Sequence, residues 1–127
     1  MVKLYVSDLS ANYETSSGDV HALENVDFQL EDNESIGIAG ESGCGKSTLG
    51  LSIIKMIQGG KIIAGEITLG EKSILNMSES EFDDIIRWKE ISMVFQGAMN
   101  SLDPVFTIEQ QFDQILKQHN FTGDFKK

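Results

Sequence analysis

The 127-residue chain has a single cysteine and a single proline. With Cys44 alone, no disulfide can close within the chain and no multi-cysteine zinc site can form. With Pro104 alone, nothing reads as a proline-rich linker. Basic side chains are scarce too: 10 Lys and Arg stand against 20 Asp and Glu, a formal net charge of −10. Displacing counterions from nucleic acid needs Lys and Arg, so sequence-independent nucleic-acid binding is excluded. An anionic membrane leaflet would not attract such a chain either, and any membrane association runs through a protein partner. No apolar run approaches the roughly 18 residues that cross a bilayer. Residues 1–5 lead into no apolar stretch with a cleavage site, so no secretory signal is visible. These absences lead us to expect a soluble, acidic, cytoplasmic domain.

What is present suffices for a core. Apolar residues make up 40% of the chain and charged ones 24%, which suits one compact domain and excludes a wholly disordered chain. There is no internal repeat. Strand character is expected over 3–9 and 26–30, with a turn signal at Ser16-Ser17-Gly18-Asp19 and a polar turn over 31–34. The short apolar run 35–39 reads as a buried strand feeding a glycine-rich loop. Leu49, Ile53, Met56 and Ile57 then recur at helical spacing until Gly59-Gly60 stops the pattern. Strands are expected at 62–63 and 66–69, flanking Ala64-Gly65, and at 73–75 after a turn at 70–72. Ser78 with Glu81 forms a capping-box pattern before Phe82, Ile85 and Ile86, and 91–95 reads as a second buried strand ending at Gln96. Thr107 with Gln110 caps a last helix whose apolar face is Ile108, Phe112, Ile115 and Leu116. The polar tail after His119 is expected to fray. His21 and His119 read as solvated, Asp83-Asp84 as a solvated helix face, and Phe82 and Trp88 as packing residues.

Chemistry concentrates at Gly40-Glu41-Ser42-Gly43-Cys44-Gly45-Lys46-Ser47, which fits G-x-x-x-x-G-K-[ST] at every fixed position. A triphosphate presents many acceptor oxygens and several negative charges. Glycines at 40, 43 and 45 let the backbone close around it with N–H groups turned inward. The helix that follows adds free N–H groups and the positive end of its dipole. Lys46 can reach the β- and γ-phosphates, the Ser47 hydroxyl can ligate Mg²⁺, and Thr48 can meet the α-phosphate. With glycine at about 7% of residues, an accidental match in so short a chain has odds on the order of one in a few hundred. Cys44 occupies a variable position, where a small tolerated residue is the simpler reading than a reactive thiol.

Three further features narrow the choice among P-loop proteins: a strand-rich insertion after the loop, the run ending Val94-Phe95-Gln96, and Tyr13 ahead of the loop. With these the sequence resembles the nucleotide-binding domain of ABC transporters, above all the ATP-binding subunits of the dipeptide/oligopeptide import branch. The resemblance rests on Asp19-Val20-His21-Ala22-Leu23 through Asp27-Phe28, on residues 37–48, and on Met93-Val94-Phe95-Gln96 continued by Met99-Asn100-Ser101-Leu102-Asp103-Pro104 to Thr107-Ile108. It implies an α/β P-loop NTPase fold of ABC type, here its N-terminal half: a mixed sheet with an antiparallel β subdomain and the start of a helical subdomain. Residues 1–95 would form the RecA-like core with its β subdomain, and 96–127 the Q-loop and the start of the helical subdomain.

The resemblance also assigns roles. Tyr13 corresponds to the A-loop aromatic that stacks on adenine, the alternative being a half-buried strand tyrosine. Gln96 corresponds to the Q-loop glutamine, which contacts Mg²⁺ or the attacking water, the alternative being a polar strand end. The family usually places an acidic residue and often proline after this glutamine, where Gly97 and Ala98 stand here. The implied cofactors are ATP and Mg²⁺, held by Tyr13, residues 40–48 and Gln96, with Ser47 and Gln96 toward the metal. No Leu-Ser-Gly-Gly-Gln-like signature, apolar run into Asp-Glu, or switch histidine appears, so Lys46 and Gln96 contribute to a catalytic set that this chain does not complete. The implied partners are a second nucleotide-binding subunit, identical or not, permease subunits meeting the region after Gln96, and an extracytoplasmic solute-binding protein indirectly. Such a subunit sits peripherally on the inner face of the cell membrane. The competing reading is a non-catalytic nucleotide-binding fragment or remnant; a GTPase is excluded by the lack of an Asn-Lys-x-Asp segment.

Overall fold

The computed structural model describes residues 2–97, 101–121 and 123. The chain divides into two units, Met1–Ile91 and Ser92–Lys127. The first is built on an antiparallel sheet of four strands, β1 (Val2–Thr15), β2 (Gly18–Glu31), β3 (Gly60–Leu69) and β4 (Lys72–Ser73), in the order β2-β1-β3-β4. Two helices complete it, α1 (Lys46–Ile53) and α2 (Glu79–Ile85).

β1 carries the sheet, and a change of parity within it decides its packing. Leu4 and Val6 are buried, and so are Leu9 and Ala11. Strict alternation would put the second pair on the opposite face from the first. Asp8, with φ +48°, supplies the extra residue: three steps from Val6 to Leu9 oppose two steps from Phe28 to Val26. On β3, Glu66 and Ala64 likewise face Ser7 and Ser10 across the irregularity. Gly65 between them has φ +103°, and a Cβ there would lie 2.5 Å from Leu9 Cα. The bulge therefore requires glycine on the neighbouring strand. Its freed polar groups find partners: Asp8 N–H donates to Asp27 Oδ1 at 2.9 Å, and Asn25 N–H to Ser10 Oγ at 3.0 Å.

Leu49 and Ile53 of α1 and Phe82 of α2 join Ile67, Leu69, Ile74 and Ile86 in one core with the β1 residues. Fully burying a side chain of this kind contributes roughly 1.5–3 kcal/mol. Phe82, 0% exposed, is flanked by Lys55 at 5.6 Å and Arg87 at 5.0 Å from its ring centre. Lys55 Nζ also bonds Met77 O at 2.7 Å and pairs with Glu79 at 3.2 Å, while Arg87 reaches Ile54 O at 3.2 Å and pairs with Asp83. Together these contacts tie the end of α1 to α2.

Both expected capping boxes are present, Ser78 with Glu81 and Thr107 with Gln110, the latter opening α3 (Ile108–Gln118) in the second unit. Other expectations are corrected. α1 ends at Ile53, short of Met56 and Ile57, because Lys55 takes a left-handed φ of +53°. Met56 N–H then bonds Leu51 O at 2.8 Å and Lys55 N–H bonds Ser52 O at 3.1 Å, the paired bonds of a Schellman stop. Ile85 and Trp88 are exposed rather than packed. Trp88 sits at φ +65°, just past the end of α2.

The two expected buried strands are not formed. Residues 35–39 pair with none of the described strands, and Ile36 and Ile38 are exposed. Residues 91–95 make a single parallel bridge, Ile91 to Arg87, and Val94 is 90% exposed. A strand buried on both faces needs neighbours to cover it, and the described residues provide none for either run. They form the antiparallel part of the expected mixed sheet. The expected fraying of the tail falls mostly on 122 and 124–127, outside the described residues. No helix among those described is long and apolar enough to cross a membrane.

Candidate nucleotide-binding site

The loop between run 35–39 and α1 is closed on itself. Cys44 N–H bonds Glu41 O at 3.3 Å, and Gly43 and Gly45 take φ of +83° and +93°. Gly45 is the N-cap of α1, and Leu49 N–H accepts its place in the ladder by donating to Gly45 O at 2.9 Å. No side chain caps the helix, and its first turn holds no acidic residue. Its leading N–H groups are thus left facing outward with the positive end of the dipole uncompensated.

Lys46 folds back across the loop. Its Nζ donates to Gly40 O at 2.7 Å and Glu41 O at 2.6 Å, and lies 3.3 Å from Cys44 Sγ. The ammonium therefore stands at the mouth of the ring that the backbone makes. Packing fixes the glycines as much as dihedral angles do. A Cβ on Gly40 would meet Cys44 Sγ at 2.5 Å, and one on Gly45 would meet Ala22 O of β2 at 2.4 Å. Gly43 has open space around it.

Thr48 is buried, and its Oγ1 lies 3.3 Å from Tyr13 Oη. Tyr13, on β1 opposite Val20 and Gly60, is thereby joined to the first turn of α1. Gly60 leaves the room for its ring, since a Cβ there would stand 2.9 Å from Tyr13 Cε1. Ser42 and Ser47 are exposed. Of the candidate residues, Tyr13 and 40–48 thus gather at one place in the first unit. Gln96 belongs to the second unit, in an exposed turn with Gly97 at φ +77°. His21, expected to be solvated and without partners, is exposed but bonds Asn12 Oδ1 through Nδ1 at 3.0 Å.

This is the geometry of an anion cradle, and residues 23–126, which contain the loop, match the ABC transporter family. The chain belongs to that family. It is 38% identical to the oligopeptide transport ATP-binding protein AppD of Bacillus subtilis over 118 residues, covering 91% of this chain and 36% of that protein. It is 39% identical to the dipeptide transport ATP-binding protein DppD of Lactococcus lactis, over 92% of this chain and 34% of the other. The oligopeptide transport ATP-binding protein OppD of Escherichia coli is 36% identical, over 91% and 34%. The chain thus spans about a third of the length of these relatives. Among solved structures it resembles the ATP-binding cassette MJ0796 in a dimeric, post-hydrolysis state bound to ADP and Pi, with a TM-score of 0.58 and 24% identity over 65% of this chain and 34% of that one. The α/β fold of an ABC-type P-loop NTPase is thereby established.

Sequence reading missed the residues that support the site from elsewhere in the chain. Ala22 sets how close β2 approaches Gly45, and Gly60 makes room for Tyr13. In the second unit, Gln111 bonds Asp103 N–H, Asp103 O and Phe106 O, each at 3.0 Å, and holds residues 103–106 against α3. No sequence pattern marks these contacts, because each joins residues whose spacing fits no local motif. Residues 98–100 of the stretch that carried the peptide-import resemblance lie outside the described residues.

Proposed function

We propose that this chain is the nucleotide-holding part of the ATP-binding subunit of a peptide importer. The observation that carries this reading is Lys46 held at the mouth of the 40–45 loop, beside an α1 start that nothing caps. An ammonium, a ring of main-chain donors and a helix dipole converge there, and a triphosphate offers the complementary oxygens. Lys46 would exchange its two carbonyl acceptors for phosphate oxygens, the stronger charge-assisted bonds. Tyr13 would stack on the adenine while Thr48 and Ser47 meet the α-phosphate and Mg²⁺. The metal ion, when bound, offsets phosphate charge. Gln96 would approach the γ-phosphate and the attacking water.

The relatives' names support oligopeptides or dipeptides as the cargo. On this reading the subunit pairs with a second nucleotide-binding subunit and lies on the cytoplasmic face of the membrane. Residues 96–107 would meet the permease, and a solute-binding protein would act through it. Phosphoryl transfer to water needs a positioned nucleophile and a proton acceptor as well as phosphate capture. Lys46 and Gln96 provide neither acceptor nor second wall, so 1–127 alone would bind ATP and turn it over slowly at best. Titration of the chain with Mg-ATP tests the reading. Saturable binding lost by at least tenfold in Lys46→Ala supports it; wild-type binding no tighter than that of the variant would sink it.

A further inference from the structure

Gly60 opens β3 opposite Tyr13 of β1, and it is glycine on account of a neighbour. Gly59 beside it has φ +69°, but Gly60 has no positive φ, so its backbone would admit alanine. What refuses a side chain there is crowding. An added Cβ would meet Tyr13 Cε1 and Ile57 Cδ1, each at 2.9 Å, and Ile57 Cγ1 at 3.0 Å. The two neighbours differ in how far they can yield. Ile57 is half-buried and, with Gly60, Ile62 and Leu75, lines a cavity of about 600 Å³ into which its end can swing. The Tyr13 ring has less freedom. Strand pairing holds its backbone beside Gly60, and its Oη lies 3.3 Å from Oγ1 of the buried Thr48. A strand glycine without a backbone reason marks a close approach, and here the approaching group is the edge of this ring.

We propose that Gly60 is a positioning residue for the base: by carrying no side chain, it lets the Tyr13 ring lie at the tilt on which adenine stacks. This rests on Tyr13 as the base platform of the proposed nucleotide site. With alanine at 60, Cε1 must retreat from 2.9 Å to the 3.4 Å at which ordinary contact begins, and the ring plane turns about its tie to Thr48. Stacking depends on how two ring planes lie against each other. The 40–48 loop meets only phosphate and is indifferent to that plane. The effect of residue 60 therefore falls on the base, and reaches it only through Tyr13.

A double-substitution cycle tests this, with ATP and inorganic tripolyphosphate as ligands and chain 1–127 throughout. Gly60→Ala should weaken ATP by at least about threefold, and by no more than the roughly tenfold expected of Tyr13→Ala. Tripolyphosphate should bind both variants as it binds the parent chain. In the Tyr13→Ala chain, Gly60→Ala should cost no further ATP affinity, because the ring it displaces is gone. ATP binding that Tyr13→Ala weakens and Gly60→Ala leaves unchanged overturns the proposal while the nucleotide site stands. Losses that add in the double variant, or that extend to tripolyphosphate, overturn it too, since Gly60 would then act on the strand or the loop. A Tyr13→Ala chain with the parent's ATP affinity removes the base platform, and the proposal with it. Should Gly60→Ala prove too unstable to titrate, melting temperatures decide. A fall at least halved in the Tyr13→Ala chain supports the ring contact, and an equal fall in both chains overturns it.

Discussion

Tyr13 Oη and Thr48 Oγ1 stand 3.3 Å apart although 35 residues separate them in sequence. The contact joins β1, an inner strand of the antiparallel sheet, to the first turn of α1, and so ties the Tyr13 ring to the 40–48 loop. On the proposed reading, an adenine platform and a triphosphate cradle must keep a set separation, and this pair links the two. Gly45 against Ala22 O supplies a second link, from β2 to the same helix start.

These two ends of the site can be separated by experiment. Tyr13→Ala removes the ring, and loss of base stacking is worth roughly 1–3 kcal/mol, so ATP binding should weaken about tenfold. Inorganic tripolyphosphate, which has no base, should bind the variant as well as the parent chain. Lys46→Ala should weaken both ligands. Tyr13→Phe keeps the ring and loses only the hydroxyl contact, and should stay within about threefold of the parent for ATP. Competition titrations with a fluorescent nucleotide measure all of these; equal losses of ATP and tripolyphosphate in Tyr13→Ala would refute a role on the base.

The loop glycines should differ in a way that tells strain from crowding. Both Gly43 and Gly45 have positive φ, but only at Gly45 would a Cβ strike backbone, at 2.4 Å from Ala22 O. Gly43→Ala carries the left-handed penalty alone, about 1–2 kcal/mol. Gly45→Ala adds an overpacking cost of about 1–3 kcal/mol, and relief requires α1 and β2 to part. Thermal unfolding should therefore place Gly45→Ala well below Gly43→Ala. Equal midpoints would mean that β2 does not press on the helix start.

Much of this was legible in the sequence, and the residues explain which parts were. The 40–48 loop and both capping boxes are local, since the pattern is complete within nine residues or four, and spacing alone reveals them. The bulge at Asp8 was not legible, because a parity change shows only when two strands are paired. The end of α1 was missed because Lys55, not a glycine, takes the left-handed position, held there by Met77 O and Glu79 from further along the chain. The apolar pattern of 35–39 was read correctly as a pattern and wrongly as a buried strand. Burial belongs to the neighbours, and the described residues lack them.

Phe82 offers a test of the packing that seats α1. It is fully buried, and Lys55 and Arg87 lie over its ring while reaching for Met77 O and Ile54 O. Phe82→Ala should cost about 3–5 kcal/mol. Phe82→Leu keeps most of the volume but not the π face, and should cost less, about 1–2 kcal/mol. Urea unfolding midpoints decide it; a loss in Phe82→Leu as large as in Phe82→Ala would give the two cations more weight than the cavity.

Acid sensitivity should trace in part to Glu81. Its carboxylate accepts the Ser78 N–H and the Ser78 hydroxyl, each at 2.9 Å, and these bonds, aided weakly by the charge of Lys55, hold it below the ordinary carboxylate value of 4.5. A depressed folded value means that the unfolded chain takes up the proton first. The stabilisation is therefore complete above about pH 4.5, the unfolded value, and is lost as pH falls through the lower folded value. Glu81→Gln retains an acceptor for the Ser78 N–H but cannot titrate in this range. Melting temperatures from pH 7 to pH 3 should fall less steeply below pH 4.5 in the variant than in the parent chain, with little difference in slope above it. Parallel curves over the acid range would show that the capping carboxylate contributes nothing to the pH dependence, and that the acid loss belongs to the chain's other carboxylates.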